Sequence, residues 1–176
     1  YRKYAGFQAS ACNYLMKMDL IRKHNLRFFK ADFWEDMVFT LNFATIAQRV
    51  VLLPDVTYTY LCRENSLSNS WNNNIIEKYK IEQYFNAVNT LKDIYPDLIN
   101  KPYFPNRCYF AVLSNLFFIC NVLQKWDYIT PSFTYQELKQ HLKYPVSLFS
   151  ILKFRKMRWN NLALYVLGKL PSHACI

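Results

Sequence analysis

Apolar residues recur at helical spacing through the second half of the chain. In residues 75–94 they fall every three or four positions, which would line one face of a helix that stops before Pro96. The same spacing predicts further helices at 103–126, 134–143, 147–157 and 160–170. The chain beyond residue 75 is therefore expected to be helical throughout.

The first part of the chain has a more mixed pattern. A broken helical pattern predicts a short helix within residues 12–25, and residues 26–29 are expected to form a brief strand. Apolar positions between Met37 and Ala47 are spaced to bury one face of a second helix, with Asp32 as its N-cap. Two short helices joined by extended chain are thus the predicted start of the molecule.

A strand pair is predicted next. Residues 50–53 and 56–61 are rich in apolar, β-branched and aromatic residues, and a proline–aspartate step between them suits a turn. Residues 63–74 are rich in serine and asparagine and form the plainest loop in the chain. We therefore place a division of the chain near Ser70.

These elements define the expected fold class and domains. The chain is expected to be α+β and mostly α-helical. A small lobe that contains the strand pair covers residues 1–70, and a helical extension covers residues 71–176. A length of 176 residues is sufficient to bury the core of such a lobe and its extension.

Composition narrows the class of protein. Hydrophobic residues make up 52% and aromatic residues 18% of the chain, which excludes a disordered protein. The two glycines, Gly6 and Gly168, are too few for a P-loop or a dinucleotide fingerprint. Five widely spaced cysteines without a C-x-x-C pair favour reduced thiols. A folded, cytoplasmic protein without a glycine-rich phosphate loop is predicted.

The charge suggests an anionic partner. The formal net charge is +10, which suits membrane headgroups, phosphorylated substrates or nucleic acid. Residues 154–159 interleave aromatic and basic residues and could rest on an anionic membrane, with Trp159 at headgroup level, or form the solvated face of a packed helix. Because no recognised nucleic-acid-binding module accompanies them, no nucleic acid partner is expected. Residues 109–120 are too short for a membrane span and predict a buried helix.

One ordered set of motifs carries more information than the composition. Its parts are A-C-N-Y-L-M at 11–16, L-R-F at 26–28, F-W-E-D-M-V-F at 33–39, Y-T-Y at 58–60, and a loop with Arg63, Ser66 and Ser68. In this order and at these spacings the set resembles the second half of the catalytic domain of inverting family 2 glycosyltransferases. In that family an extended phenylalanine follows a short helix, an acidic pair opens the next helix, and a Y-x-Y strand leads to a basic, serine-rich loop.

The resemblance implies a GT-A-type fold, a nucleotide-diphosphate sugar donor and a carbohydrate or lipid-linked acceptor, as in the synthesis of surface polysaccharide or glycolipid. It also implies a divalent metal, Mn²⁺ or Mg²⁺, held mainly by acidic residues in the first half of the domain. The acidic residues of this chain form no D-x-D motif, and its opening Tyr1 suggests an excerpt of a longer protein. The chain is therefore expected to be the acceptor-side part, inactive alone, at the inner face of a membrane.

The resemblance makes Asp36 the general base, with Glu35 orienting the neighbouring loop. Displacement at an anomeric carbon needs a carboxylate within hydrogen-bonding reach of the attacking hydroxyl. The start of a helix keeps such a carboxylate ionised, because unpaired N–H groups and the helix dipole favour negative charge. The alternative is that both acids only stabilise the first turn of a helix.

Four other residues are candidates for substrate binding. Trp34 could stack on a sugar face or pack in the core. Arg63 could meet the leaving diphosphate or be a solvated loop residue. Ser66 and Ser68 could line the same site or form turns. The three histidines lie far apart, so no metal site is predicted within this chain.

Two other classes of function stay open at the level of the sequence. The first is a non-catalytic helical interaction module, in which the acidic pair caps a helix and the positive charge recruits an anionic partner. The second is a nucleic-acid-associated protein, whose binding would depend strongly on salt.

Overall fold

The computed structural model describes residues 10–51, 53–56, 58–59, 61 and 75–170. The chain divides into two compact units, Tyr1–Asn73 and Asn74–Ile176. Among the described residues the fold is mostly helical, with one short two-stranded sheet. The predicted class, α+β and mostly α-helical, is therefore confirmed.

The first unit contains a 3₁₀ helix, Ala11–Asn13, and two α-helices, α1 (Met18–Lys23) and α2 (Glu35–Ile46). The 3₁₀ helix lies against α2. The single helix predicted within 12–25 is thus two short pieces separated by extended chain. The strand predicted at 26–29 is wrong, because these residues form no strand and pair with none.

Helix α2 is the packed element of the first unit. Its buried side chains, together with that of Phe33 just before it, form the core of the unit; on the helix they are Val38, Phe39, Thr40 and Phe43. The N-cap is Trp34 in the left-handed conformation, not Asp32. The predicted cap is wrong because the backbone turns at Trp34, and the helix begins only at Glu35.

The strand pair predicted at 50–61 is absent from the residues described there, and all of those residues are exposed. Val56 is 91% exposed and Leu61 is 75% exposed. Alternating apolar residues favour a strand only where a second strand supplies hydrogen bonds and a surface to cover. No partner strand is present among the described residues of this unit, so this prediction is wrong for them.

The second unit contains β1 (Ile76–Glu77), α3 (Lys78–Asp93), α4 (Tyr95–Leu98), α5 (Phe104–Gln124), β2 (Ile129–Thr130), α6 (Tyr135–Gln140), α7 (Leu148–Leu152) and α8 (Arg158–Leu167). A 3₁₀ helix, Trp126–Tyr128, precedes β2. All five helices predicted for this region are present, although α6 and α7 are shorter than their apolar patterns suggested.

The short sheet of the second unit was not predicted. Strands β1 and β2 pair in parallel, with Ile76 opposite Ile129. Both isoleucines are buried. The expectation of a wholly helical second half is therefore wrong at these positions, because a two-residue strand is too short to show a periodicity of its own.

The core of the second unit forms where α3 packs against α5, α5 against α8, and α7 against α8. Phe85 of α3 is fully buried and meets two further aromatic rings edge-on, with centroids 6.0 Å away at Phe118 and 6.3 Å away at Phe133. Edge-to-face pairs of this kind add about 0.5–1.5 kcal/mol each beyond the area they bury. The unit thus has an aromatic core of its own.

Helix α5 has 21 residues and is long and apolar enough to cross a membrane by length and composition, with 39% of its most apolar window buried. Its buried face includes Val112, Asn115 and Ile119, while Phe110 and Phe117 are exposed. The prediction of a buried helix at 109–120 therefore holds for one face only.

Candidate functional site

The acidic pair lies in the first turn of α2. Glu35 and Asp36 are both half-buried. The backbone N–H of Met37 donates a hydrogen bond of 2.7 Å to Oδ1 of Asp36. Negative charge is favoured at this end of a helix, where N–H groups without helical partners meet the positive end of the dipole. The carboxylate of Asp36 is therefore held in position by the helix that it opens.

Trp34 gives this helix start an unusual geometry. Its φ of 63° and ψ of 13° are left-handed, and its carbonyl oxygen accepts the N–H of Val38 at 3.1 Å. A non-glycine residue in this conformation costs of order 1–3 kcal/mol, and such strain is concentrated at functional sites. Trp34 is half-buried, so its indole suits either stacking on a ligand or packing.

Two aromatic residues of the motif set touch each other. The rings of Phe28 and Phe39 are stacked, with centroids 4.2 Å apart and planes 8° apart. Phe28 stands for the extended phenylalanine of the family pattern, and Phe39 is the aromatic residue three positions after Asp36. The stack brings the segment before the helix onto α2. Two parts of the motif set, residues 26–28 and 33–39, therefore meet at one helix.

The remaining candidate residues cannot be joined to this cluster. Arg63, Ser66 and Ser68 lie outside the described residues, so their position beside the acidic pair stays a prediction. Tyr58 is exposed and belongs to no strand. The structure thus brings together Trp34, Glu35 and Asp36.

No metal is assigned to this part of the molecule. In the described ranges of the chain, no group of three histidine, cysteine, aspartate or glutamate residues is placed to hold a metal ion. We therefore derive no catalytic step through a metal bound by these residues.

The basic and aromatic segment at 154–159 is divided between core and surface. Phe154 is buried and packs edge-on against Phe104. Trp159 is 72% exposed, and the guanidinium of Arg158 lies 5.4 Å from the centroid of its ring. The predicted contact surface therefore loses Phe154 but keeps Trp159 and its neighbouring cations.

A polar network in the second unit was missed by the sequence analysis. Lys92 Nζ donates to Asn89 Oδ1 at 3.2 Å and to the carbonyl oxygen of His141 at 3.2 Å. The amide nitrogen of Asn115, a fully buried residue of α5, donates to the same carbonyl at 2.8 Å. Because the members come from α3, α5 and the end of α6, no local sequence pattern could have revealed it.

Burial sets the charges of this network. It lowers the pKa of Lys92 to about 8. Burial, together with the nearby charge of Lys92, lowers the pKa of His141 to about 4, so this imidazole is neutral near pH 7. The ring of His141 stacks on Phe85 with centroids 4.0 Å apart. The network and the stack together fix the chain that follows α6.

The described cysteines carry no chemistry that the site uses. Cys12, Cys108 and Cys120 are free thiols. Cys108 is buried in α5, and burial raises the pKa of its thiol to about 12. A buried thiol with a raised pKa is a poor nucleophile.

Comparison of the chain with protein-family models, with curated proteins and with solved structures gives no match. The resemblance to glycosyltransferases therefore rests on the motif set of the sequence.

Proposed function

We propose that the first unit is the acceptor-side part of an inverting glycosyltransferase, which moves a sugar from a nucleotide-diphosphate sugar to an acceptor hydroxyl. The observation that supports this proposal most is the start of α2. There the left-handed turn at Trp34 is followed by Glu35 and then by a half-buried Asp36, and the stacked pair Phe28 and Phe39 anchors the same helix. Phe28, Asp36 and Phe39 belong to the motif set, whereas the left-handed turn at Trp34 was not expected from the sequence.

In the proposed reaction, Oδ2 of Asp36 takes the proton of the acceptor hydroxyl. The hydroxyl oxygen forms a bond to the anomeric carbon while the bond from that carbon to the nucleoside diphosphate breaks, so the configuration inverts. The hydrogen bond from the Met37 N–H to Oδ1 orients the carboxylate for this step. A residue fixed in this way loses little conformational freedom on reaching the transition state.

The other candidate residues have supporting roles in the proposal. Glu35 orients the loop next to the acceptor, and Trp34 offers its indole to a sugar face. From the resemblance, Arg63 balances the charge of the leaving diphosphate, and Ser66 and Ser68 line the same site. A divalent metal, bound mainly by the nucleotide-binding half, would neutralise the diphosphate.

The exposed apolar residues of the first unit also support the proposal that a nucleotide-binding half belongs to the same catalytic domain. Val50, Val51, Leu53 and Val56 are all more than half exposed. Apolar side chains that cluster along an exposed segment mark a surface that another chain segment or domain covers. We propose that the nucleotide-binding half covers them and supplies the neighbouring strand that the described residues of this segment lack. The 176-residue chain alone is therefore expected to be inactive.

The proposed location is the cytoplasm, with peripheral contact at the inner face of the membrane. Exposed Trp159 beside Arg158 suits the interface between headgroups and acyl chains. No nucleic acid partner is part of the proposal.

The test measures release of nucleoside diphosphate by the longer protein to which this unit is proposed to belong. A panel of sugar nucleotides is assayed with Mn²⁺, for wild type, Asp36→Asn and the control Asp19→Asn. Asp19 is an exposed acid of α1 in the same unit, so the control removes the same charge outside the site. Loss of a general base lowers the rate by about 10²–10⁴-fold.

We expect that loss in Asp36→Asn, with nucleotide affinity unchanged, and wild-type rates in Asp19→Asn. Equal rates in all three proteins would make the acidic pair a helix cap and refute the catalytic role. A wild-type protein that hydrolyses or transfers none of the donors would refute the proposed activity.

A further inference from the structure

A cleft of about 520 Å³ opens on the second unit, between the end of α6, the chain that follows it and the end of α8. Three lysines line it, Lys139, Lys143 and Lys169. Its other polar lining groups are two glutamines, a serine and two tyrosines, and no carboxylate is among the described residues that line it. Its size is within the range of small-ligand sites, which is about 300–1,000 Å³.

The walls of the cleft are held by close packing. A Cβ at Gly168 would lie 2.6 Å from the carbonyl oxygen of Leu142, so only glycine allows α8 to end this close to the chain after α6. Lys92 Nζ also donates to the carbonyl oxygen of Lys143 at 3.4 Å. The segment that carries Lys143 is thus fixed from both sides.

The two tyrosines form an ordered aromatic wall. The hydroxyl of Tyr144 donates to the side-chain oxygen of Asn161, a fully buried residue of α8. The rings of Tyr144 and Tyr165 meet edge-on with centroids 5.9 Å apart, and Lys169 Nζ lies 5.6 Å from the centroid of Tyr165. These contacts position Lys169 beside the ring instead of leaving it to solvent alone.

The charged residues that line the cleft are of one sign. From Leu138 to the last residue, the sequence carries seven lysines and arginines and no aspartate or glutamate. Like charges that converge on a concave surface raise its potential, because the protein wall focuses the field. Glu137, the residue just before this stretch, is paired with Lys78 Nζ at 2.6 Å and does not line the cleft. An anionic ligand would neutralise the three lysines of the cleft.

We propose that this cleft binds a phosphate-bearing ligand, either a soluble phosphate ester or the phosphate headgroup of a lipid. Lysine ammonium groups bind phosphate oxygens as point charges, and the serine and glutamine side chains of the lining can donate hydrogen bonds. The aromatic wall suits the organic part of such a ligand. The proposal is independent of the proposed glycosyl transfer, because no residue of the α2 site takes part in it.

The test compares three forms of the 176-residue chain: wild type, a cleft variant and a control variant. The cleft variant carries Lys139→Gln, Lys143→Gln and Lys169→Gln. The control carries Lys80→Gln, Lys101→Gln and Lys125→Gln, which remove the same charge from positions of the same unit that lie outside the cleft and outside residues 154–159. Far-UV circular dichroism verifies that all three fold alike.

Each protein is titrated with inorganic phosphate at constant ionic strength, and binding is detected by changes in amide chemical shifts. In a second titration, each protein is mixed with phosphatidylcholine vesicles that contain or lack phosphatidylglycerol, and binding is measured by co-sedimentation. One lysine near an anionic surface contributes about fivefold in affinity, so three contribute about a hundredfold. We therefore expect about hundredfold weaker binding by the cleft variant and near wild-type binding by the control.

The two probes distinguish the source of the phosphate. Shifts at the cleft with inorganic phosphate support a soluble ester as ligand, whereas binding only to vesicles that contain phosphatidylglycerol supports a lipid headgroup. The proposal would be overturned if wild type bound neither probe, or if the cleft variant and the control variant lost the same amount of affinity. Since none of these measurements reads sugar transfer, their outcome is separate from that of the proposed function.

Discussion

The two units of the molecule use their apolar residues in opposite ways. In the second unit the helices enclose them, and Phe85, Phe104 and Ile151 are fully buried. In the first unit the described apolar core is confined to α2 and Phe33, while Leu15 is 104% exposed and Val56 is 91% exposed. The described part of the second unit therefore has the core of an independent domain, and that of the first does not.

This difference shows what each kind of element needs from its surroundings. A helix satisfies its own backbone hydrogen bonds, so α2 forms around a few buried side chains. A strand needs a neighbour for its hydrogen bonds and for its apolar face. The described residues at 50–61 have the composition of strands but no neighbour. Of all parts of the first unit, these residues are expected to lose the most solvent exposure if another half of the domain were added.

The largest expected effect comes from removing part of the core of the second unit. Phe85→Ala should lower the free energy of unfolding by about 3–5 kcal/mol, because a fully buried aromatic ring leaves a cavity. Val56→Ala in the first unit should change it by less than about 0.5 kcal/mol, because that side chain is exposed. Urea unfolding followed by far-UV circular dichroism measures both. Similar losses in the two variants would contradict the difference between the units.

The next effect is a pH dependence of the second unit. The folded pKa of His141 is lowered from 6.5 to about 4, so the unfolded chain takes up this proton at higher pH than the folded chain. Stability should therefore fall as the pH is lowered from 6.5 towards 4. Glu137, whose pKa is lowered to about 2 mainly by its hydrogen bond from Lys78, acts in the same direction only below about pH 4.5.

Variants separate these contributions. His141→Gln should remove most of the slope of stability between pH 6.5 and 4.5, measured as the urea midpoint at each pH. His24→Gln, at an exposed position of the first unit, should leave the slope as it is. A wild-type slope in His141→Gln would show that this imidazole is not the group that titrates.

The smallest of the three effects concerns the contact between α8 and the chain after α6. Gly168→Ala should lower the free energy of unfolding by about 1–3 kcal/mol, because the new methyl group would overlap the carbonyl oxygen of Leu142. Asn160→Ala, at an exposed position of α8, should change it by less than about 0.5 kcal/mol. Thermal unfolding of both variants measures the difference. If Gly168→Ala unfolds at the same temperature as wild type, α8 can move away from the carbonyl oxygen of Leu142 without loss of stability.

The long helices could be predicted from the sequence, and the short two-stranded sheet could not. Helices α3 and α5 carry enough turns for their apolar spacing to stand out, and their predicted ends are within a few residues of the observed ones. Strands β1 and β2 pair across the whole length of α3 to α5, so no local pattern indicates them. The same locality explains the wrong strand pair at 50–61, since alternation does not reveal whether a partner exists.

The candidate sites divide in the same way. The acidic pair could be assigned to a helix start because Glu35 and Asp36 precede an apolar helical pattern directly. The lysine cleft could not be found, because Lys139 and Lys169 are brought together only by the close packing at Gly168. Functional side chains that lie within one helical turn can be recognised from the sequence. A site whose side chains come from distant segments can be recognised only once the fold is known.

The most direct test of the central claim, that another half of a catalytic domain completes the first unit, is amide hydrogen exchange measured by mass spectrometry. The 176-residue chain is compared with the longer protein to which it is proposed to belong. Peptides that cover Val50, Val51, Leu53 and Val56 should exchange near the unprotected rate in the short chain and at least about a hundredfold more slowly in the longer protein, while peptides from α5 stay equally protected. Equal exchange of the first set in both proteins would contradict the claim.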